Sequence, residues 1–288
     1  MKPILRILET PEEMAQIEAL QRVVWPGSET DVIPAHLLLT AAHNGGLVIG
    51  AYIEETLAGF TFGFPGLEQV PDGPRPKHCS HELGVHPDYR NAGLGFALKR
   101  AQWQAVRSQG LDHITWTYDP LLSRNAHLNI ARLGAVCNTY LREVYGEMRD
   151  GLNVGLPSDR FQVDWWINTP RVERRLGDQP RRSLTLGHYR AANTPAVYPV
   201  KTLNDGLIAP PLEFSLPAAS IILAEIPSDF LALKSANLAL AYDWRIFTRE
   251  VFESAFSAGY LVTDFLYETG EGLPRSFYAL TNGESTLD

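Results

Sequence analysis

The feature that most constrains this chain is a glycine-bearing loop between a strand pattern and a helix pattern, Arg90-Asn91-Ala92-Gly93-Leu94-Gly95. Ser80 to Val85 reads as a strand and His86-Pro87-Asp88-Tyr89-Arg90-Asn91-Ala92-Gly93 as a tight loop. Leu94, Leu98, Ala101 and Ala105 then recur at the spacing of one helix face, and Gly110 closes the helix. Glycines at such a junction let the backbone approach a ligand closely. The free N–H groups of the helix start and the positive end of its dipole favour an anion, and a diphosphate is a natural guest. Two glycines alone fit a plain turn as well. The longer dinucleotide fingerprint is absent, because Leu98 stands where a third glycine is required and no early parallel βαβ unit precedes the loop.

The flanking sequence predicts a mixed α/β domain. Ile4 to Leu8 reads as a strand. Thr10-Pro11-Glu12-Glu13 predicts a helix start, with Thr10 as cap, Pro11 in the first position and Glu13 closing a capping box. Met14, Ile17, Leu20 and Val24 continue that helix until Pro26-Gly27, and a second short helix covers Pro34 to His43. Leu47 to Ile53 and Leu57 to Phe64 predict an antiparallel hairpin, followed by a Pro- and Gly-rich loop from Pro65 to Pro76. Downstream lie a strand at Ile114 to Tyr118, a helix at Ser123 to Leu133 ended by Gly134, and a strand at Val136 to Leu141.

The texture changes near residue 150, which predicts one domain over 1–150 and a smaller α+β region over 151–288. Prolines recur, and between Arg171 and Arg190 six arginines stand against Glu173 and Asp178, as in an irregular connection. Order returns with a strand at Ile221 to Ala224. A helix follows with Trp244, Phe247, Val251 and Ala255 on one face, then a hairpin around Gly270-Glu271-Gly272.

Composition narrows the function classes. A net charge of −8 argues against a general binder of nucleic acid or anionic membranes, since both need a cationic surface. The two cysteines, Cys79 and Cys137, form no metal-ligand spacing and read as small apolar strand residues, so no metal is expected. No apolar run reaches the length of a membrane span, and Met1-Lys2-Pro3-Ile4-Leu5-Arg6 lacks the apolar core of a signal peptide. A cytoplasmic setting is the expectation.

The stretch from Glu82 to Gly95 resembles the GNAT superfamily of N-acyltransferases, carrying its V-x-P-x-Y-R-x-x-G-x-G core as Val85, Pro87, Tyr89, Arg90, Gly93 and Gly95. The order of elements agrees over about residues 4 to 148. The resemblance implies a GNAT fold with a mixed, splayed central sheet and an acyl-CoA donor, acetyl-CoA or succinyl-CoA. It implies that backbone N–H groups of Asn91, Ala92, Gly93, Leu94 and Gly95 hold the pyrophosphate, with Arg90 beside them. Leu83 and Val85 would pair through their backbone with the pantetheine arm, as an added strand does.

Catalysis in the family is usually direct attack of a deprotonated amine on the thioester, so no nucleophilic cysteine is expected. Glu82 is the preferred base; in a regular strand His81 points to the opposite face. His86 is read as capping or solvating the loop. In the fourth helix Ala126 and Gly134 match the family, but Ile130 replaces the usual tyrosine acid. Tyr140 or Tyr145, or water, is left to protonate the thiolate. Asn129 is assigned to the pantetheine arm, and Asn125 or Arg124 to the CoA phosphates. The stretch Ser123 to Ala135 with the tail around Trp165-Trp166, Trp244-Arg245 and Gly259-Tyr260 resembles a longer bacterial GNAT subgroup. Some of its members are linked to N-succinylation of amino acids. The expected acceptor is therefore the primary amine of a small metabolite, with no nucleic-acid or membrane partner. The C-terminal region is expected to complete the acceptor pocket or build a homodimer, and its arginines to meet a carboxylate or simply face solvent. The competing readings are a non-catalytic acyl-CoA sensor and a protein lysine acetyltransferase.

Overall fold

A computed structural model describes residues 2–27, 29–146, 154–177, 184–204, 206–269 and 273–283. The chain divides into two units, one of Met1–Trp116 with Trp165–Asn168, the other of Thr117–Met148 with Leu152–Asp164 and Thr169–Asp288. The fold is mixed α/β, and its strand pairings are mostly antiparallel.

The first unit runs β1 (Ile4–Ile7), α1 (Pro11–Val24), α2 (Ala35–His43), β2 (Leu47–Ile53), β3 (Thr56–Val70), β4 (Gly73–Val85), α3 (Leu94–Ser108) and β5 (His113–Tyr118), whose last two residues belong to the second unit. The start of α1 follows its sequence: the Glu13 amide donates to Thr10 Oγ1, and the Thr10 amide donates to Glu13 Oε2. Strands β1 to β4 pair antiparallel in chain order. Met14, Ile17, Leu20 and Val24 of α1 pack with Leu38, Val48, Phe60 and Phe62. Ile49, Ala51 and Ala58 pack with Leu94 and Leu98 of α3. Each fully buried side chain of this size contributes roughly 1.5–3 kcal/mol.

The stretch expected as a loop from Pro65 to Pro76 is instead hairpin, paired out to Val70 and Gly73. Proline fits there because β4 meets β5 only from His78 onward, which leaves Pro74 and Pro76 on an edge that needs no N–H donor. Further along, the register steps from Phe62 opposite Glu82 to Gly63 opposite Ser80, so His81 is the extra residue of a β-bulge. Gly63 is required beside it: a Cβ there would sit 2.3 Å from His78 Nε2 and 2.6 Å from the Cys79 carbonyl oxygen.

In the second unit α4 (Ser123–Ala126) runs into a π-helical turn, His127–Arg132, and stops at Gly134 with φ +79°. Then come β6 (Val136–Leu141), β7 (Arg160–Trp166), whose last two residues belong to the first unit, α5 (Pro170–Leu176), α6 (Leu186–Ala191), β8 (Lys201–Thr202), β9 (Ile208–Ala209), β10 (Ile221–Ile226), α7 (Phe230–Ala236), α8 (Leu238–Ser257), β11 (Leu261–Glu268) and β12 (Arg275–Thr281). β6 pairs with β7 and touches β11, and β12 lies between β11 and β10. The expected terminal hairpin is β11–β12; its turn at Gly270-Glu271-Gly272 lies outside the described residues. Phe161 sits at the centre, edge-on to Tyr118, Tyr140, Phe252 and Tyr278.

The arginine-rich connection is more ordered than its composition suggests. α5 starts at Thr169-Pro170, and α6 is held by a box between Thr185 and His188. Arg171 and Arg175 donate to the carbonyls of Gly134, Ile130 and Ala131, satisfying the end of the π-helical turn. Arg175 also pairs with Asp264 at 3.6 Å, so both side chains are engaged within the protein. Arg181 and Arg182 lie outside the described residues.

Candidate active site

The glycine loop leaves α3 with an open, electropositive start. Asn91 has φ +68° and Gly93, the cap position of α3, has φ +78°. Both sit in the left-handed region that Gly, and after it Asn, tolerates best. No side chain caps α3 and no acidic residue stands in its first turn. By contrast, α1 carries both a capping side chain and Glu12 and Glu13 at its start. Arg90, Asn91, Ala92 and Gly93 are exposed, Gly95 is half-buried, and Leu94 is buried against the sheet. Nothing lies within 4 Å of the place a Gly93 Cβ would take. His86 caps the preceding turn, accepting from the Asp88 amide at 3.3 Å. Such a helix start can hold an anionic oxygen cluster without any further cation.

The strand that leads into this loop has a free edge. β4 pairs with β5 only at His78 opposite Ile114 and Cys79 opposite Thr115. Beyond that the strands part, and Ser80–Val85 do not pair with β5. Leu83 and Val85 pack with Leu94, Leu98 and Tyr89 on the α3 side. An extended ligand arm can therefore pair with this edge as a strand would.

Glu82 lies directly opposite Phe62, on the side packed by α1 and α2. Its Oε2 is buried and has no hydrogen-bond partner. Burial raises its pKa to about 7. A carboxyl group in that condition is poised to exchange a proton near neutrality.

The bulge corrects the expected orientation of His81. Alternation is broken there, and the imidazole lies 6.0 Å from both the Phe62 and Phe64 rings, on the face that also carries Glu82. Period-two reasoning fails because two residues of β4 share one partner position.

On the other face, α3 buries a polar set that its apolar spacing did not show. Lys99 is 3% exposed. Its Nζ donates to Ser80 Oγ at 2.7 Å and to Gln102 Oε1 at 3.1 Å, and lies 3.7 Å from the centre of the Trp116 ring. Gln102 Oε1 accepts, so its amide nitrogen donates to His78 Nε2 at 3.2 Å. Burial lowers the Lys99 pKa to about 7 and that of His78 to about 3. The expected face of Leu94, Leu98, Ala101 and Ala105 is thus rotated to Leu94, Leu98, Lys99, Gln102, Trp103 and Val106.

The remaining sequence candidates fall in the second unit. Asn125 is half-buried in α4, and Asn129 is 5% exposed in the π-helical turn. Tyr140 donates its hydroxyl to Asp159 Oδ2 at 2.8 Å. Arg249 grips the same carboxylate through Nε and Nη2, at 2.8 and 2.9 Å. Burial pushes the Tyr140 pKa well above its ordinary value. Tyr140 also borders an open cleft of about 470 Å³ with Arg142, Glu253 and Phe256. Arg142 and Glu253 pair with each other there, which leaves the cleft little net charge. Tyr145 bonds Thr117 at 2.6 Å. Arg245, read as helix packing, is 1% exposed and pairs with Asp119. Among the described residues no group of three or more His, Cys, Asp or Glu side chains could hold a metal, and no helix is long and apolar enough to cross a membrane.

Residues 11–134 match the model of the acetyltransferase (GNAT) family. No curated protein matches the chain in sequence. Similar solved structures include three of low identity. An acetyltransferase of the GNAT family from Streptococcus pneumoniae is 16% identical with a TM-score of 0.44, over 57% of this chain and 98% of that one. The ribosomal-protein-S18-alanine N-acetyltransferase of Escherichia coli is 15% identical with a TM-score of 0.44, over 63% and 100%. Arabidopsis thaliana NAA60 in complex with acetyl-CoA is 15% identical with a TM-score of 0.46, over 57% and 99%.

Proposed function

We propose that this chain, whose residues 11–134 match the model of the acetyltransferase (GNAT) family, moves an acetyl or succinyl group from acyl-CoA to the primary amine of a small metabolite such as an amino acid. The observation that carries the reading is the junction of β4 with α3. There an uncapped, acid-free helix start follows a strand whose free edge carries a half-buried carboxyl group with one oxygen buried and unpartnered.

In this reading the amides of Asn91, Ala92, Gly93, Leu94 and Gly95 take the diphosphate, with Arg90 alongside. The backbone of Leu83 and Val85 pairs with the pantetheine arm, and Asn125 and Asn129 are further donors to CoA. Glu82 removes the proton from the acceptor ammonium. The amine nitrogen then attacks the thioester carbonyl carbon, the new C–N bond forms, and the C–S bond breaks to release the CoA thiolate. The succinyl donor rests on the subgroup resemblance alone, since Arg171 and Arg175 are occupied with carbonyls.

The thiolate needs one proton. Its thiol belongs to a class with an ordinary pKa near ~8.5, so solvent competes with any side-chain acid. Tyr140 is the side-chain candidate, but burial and Asp159 both hold its proton. Tyr140→Phe is therefore expected to leave kcat nearly unchanged. It should lower stability by about 1.5–3 kcal/mol, the range for a hydrogen bond to a charged group. A large fall in kcat at unchanged KM would assign the proton to the phenol.

The direct test is thiol release from acetyl-CoA and from succinyl-CoA, each offered pooled L- and D-amino acids, polyamines and lysine peptides. Release that depends on a small-molecule pool is the expected result. Release with lysine peptides alone makes the protein a lysine acetyltransferase, and tight CoA binding without any release makes it a sensor.

A further inference from the structure

Glu82 poses a problem of proton traffic. Its Oε2 is buried, and no side chain hydrogen-bonds it at rest. Each turnover loads one proton there, and the next turnover requires its removal. The bulge supplies a neighbour. His81 follows Cys79 on the Phe64 side of β4, and because it is the extra residue it shares that side with Glu82. His81 is exposed, whereas Glu82 is half-buried. The two consecutive residues thus form a step from the buried carboxyl to water, along a wall made by Phe62 and Phe64.

We infer that His81 is a proton relay for Glu82, carrying the acceptor's ammonium proton from the carboxyl group to solvent between turnovers. The inference rests on the transferase reading above. The step balances as proton transfer alone. Glu82 passes its proton to one imidazole nitrogen, and the imidazolium releases a proton to water or buffer from the other. No bond to carbon changes.

The surrounding groups suit the exchange. Phe62 and Phe64 of β3 are apolar; Cys79, opposite Phe64, has a thiol that burial keeps protonated, and His78 is turned to the other face, where it meets Gln102. From the α1 side Trp25 packs edge-on to Phe60, on the same face of the sheet. Burial raises the Glu82 pKa to about 7, and desolvation beside the Phe62 and Phe64 rings lowers that of His81, so the imidazolium, once formed, sheds its proton readily to water.

His81→Gln in the full chain tests the relay. In dilute, non-transferring buffer kcat should fall by about tenfold or more, less than the roughly 10²-fold of a lost general base because Glu82 itself remains. KM for acetyl-CoA should stay unchanged, and added imidazole should restore kcat in proportion to its concentration. A packing role for His81 predicts no imidazole rescue. Wild-type turnover with a His81→Gln variant of equal kcat, indifferent to buffer, overturns the relay and leaves the transferase reading intact. A wild type silent toward every acceptor overturns both.

Discussion

Glu82→Gln is expected to lower kcat by about 10²-fold or more while acetyl-CoA affinity is retained, the usual size of a lost general base. The amide keeps the shape of the side chain opposite Phe62 but cannot take a proton. Wild-type activity should rise with pH through about 7, the value to which burial lifts this carboxyl, because only the ionised form is a base. The variant should lose that rising limb. Stability supplies an independent check. A carboxyl whose folded pKa lies above its unfolded value weakens the fold progressively as pH rises from the ordinary carboxylate range through about 7. Replacing Glu82 removes that cost, so the Tm of Glu82→Gln relative to wild type should increase between pH 5 and pH 8. Near-normal turnover across pH would move the base role to water or another residue.

Gly93→Glu should abolish acetyl-CoA binding as measured by calorimetry. Two effects combine. The position has φ +78°, which costs a side-chain-bearing residue about 1–2 kcal/mol. Charge has the greater influence. A carboxylate at an uncapped helix start compensates the dipole that an incoming diphosphate needs, and repels the diphosphate itself. There is no steric collision, since nothing lies within 4 Å of the new Cβ, so the variant should remain folded. Gly93→Lys separates the two effects, because it shares the backbone strain but carries the opposite charge. It should keep a substantial part of the affinity that Gly93→Glu loses. Equal affinity in wild type and Gly93→Glu would remove the phosphate-loop assignment.

Local rules carried the reading where one element's residues sufficed. The capping box at Thr10 and Glu13, the stop at Gly134 and the loop at Gly93 each depend on a few neighbours and on backbone conformations few residue types adopt. They were legible for that reason. The hairpin through Pro65 and Pro76 was not, because proline is permitted there only where a third strand is missing: the β2–β3 pairing ends at Gly63, before Pro65, and the β4–β5 pairing starts at His78, after Pro76. Nor was the buried face of α3. Apolar spacing pointed to Ala101 and Ala105, yet Lys99 and Gln102 turn inward because His78 and Ser80 on the sheet give them partners.

The candidate site divides the same way. By itself the sequence determined that a helix begins after Gly93 with amides free for an anion, because cap chemistry and left-handed backbone are properties of adjacent residues. It also brought Glu82 to the strand leading into that helix. Only the tertiary structure decided that Glu82 Oε2 is buried without a partner, since burial depends on Phe62 and on helices distant in the chain. Only the tertiary structure, again, decided that His81 stands on the same face. Strand alternation is a local rule, and a bulge breaks it through the register of a second strand that no local pattern encodes.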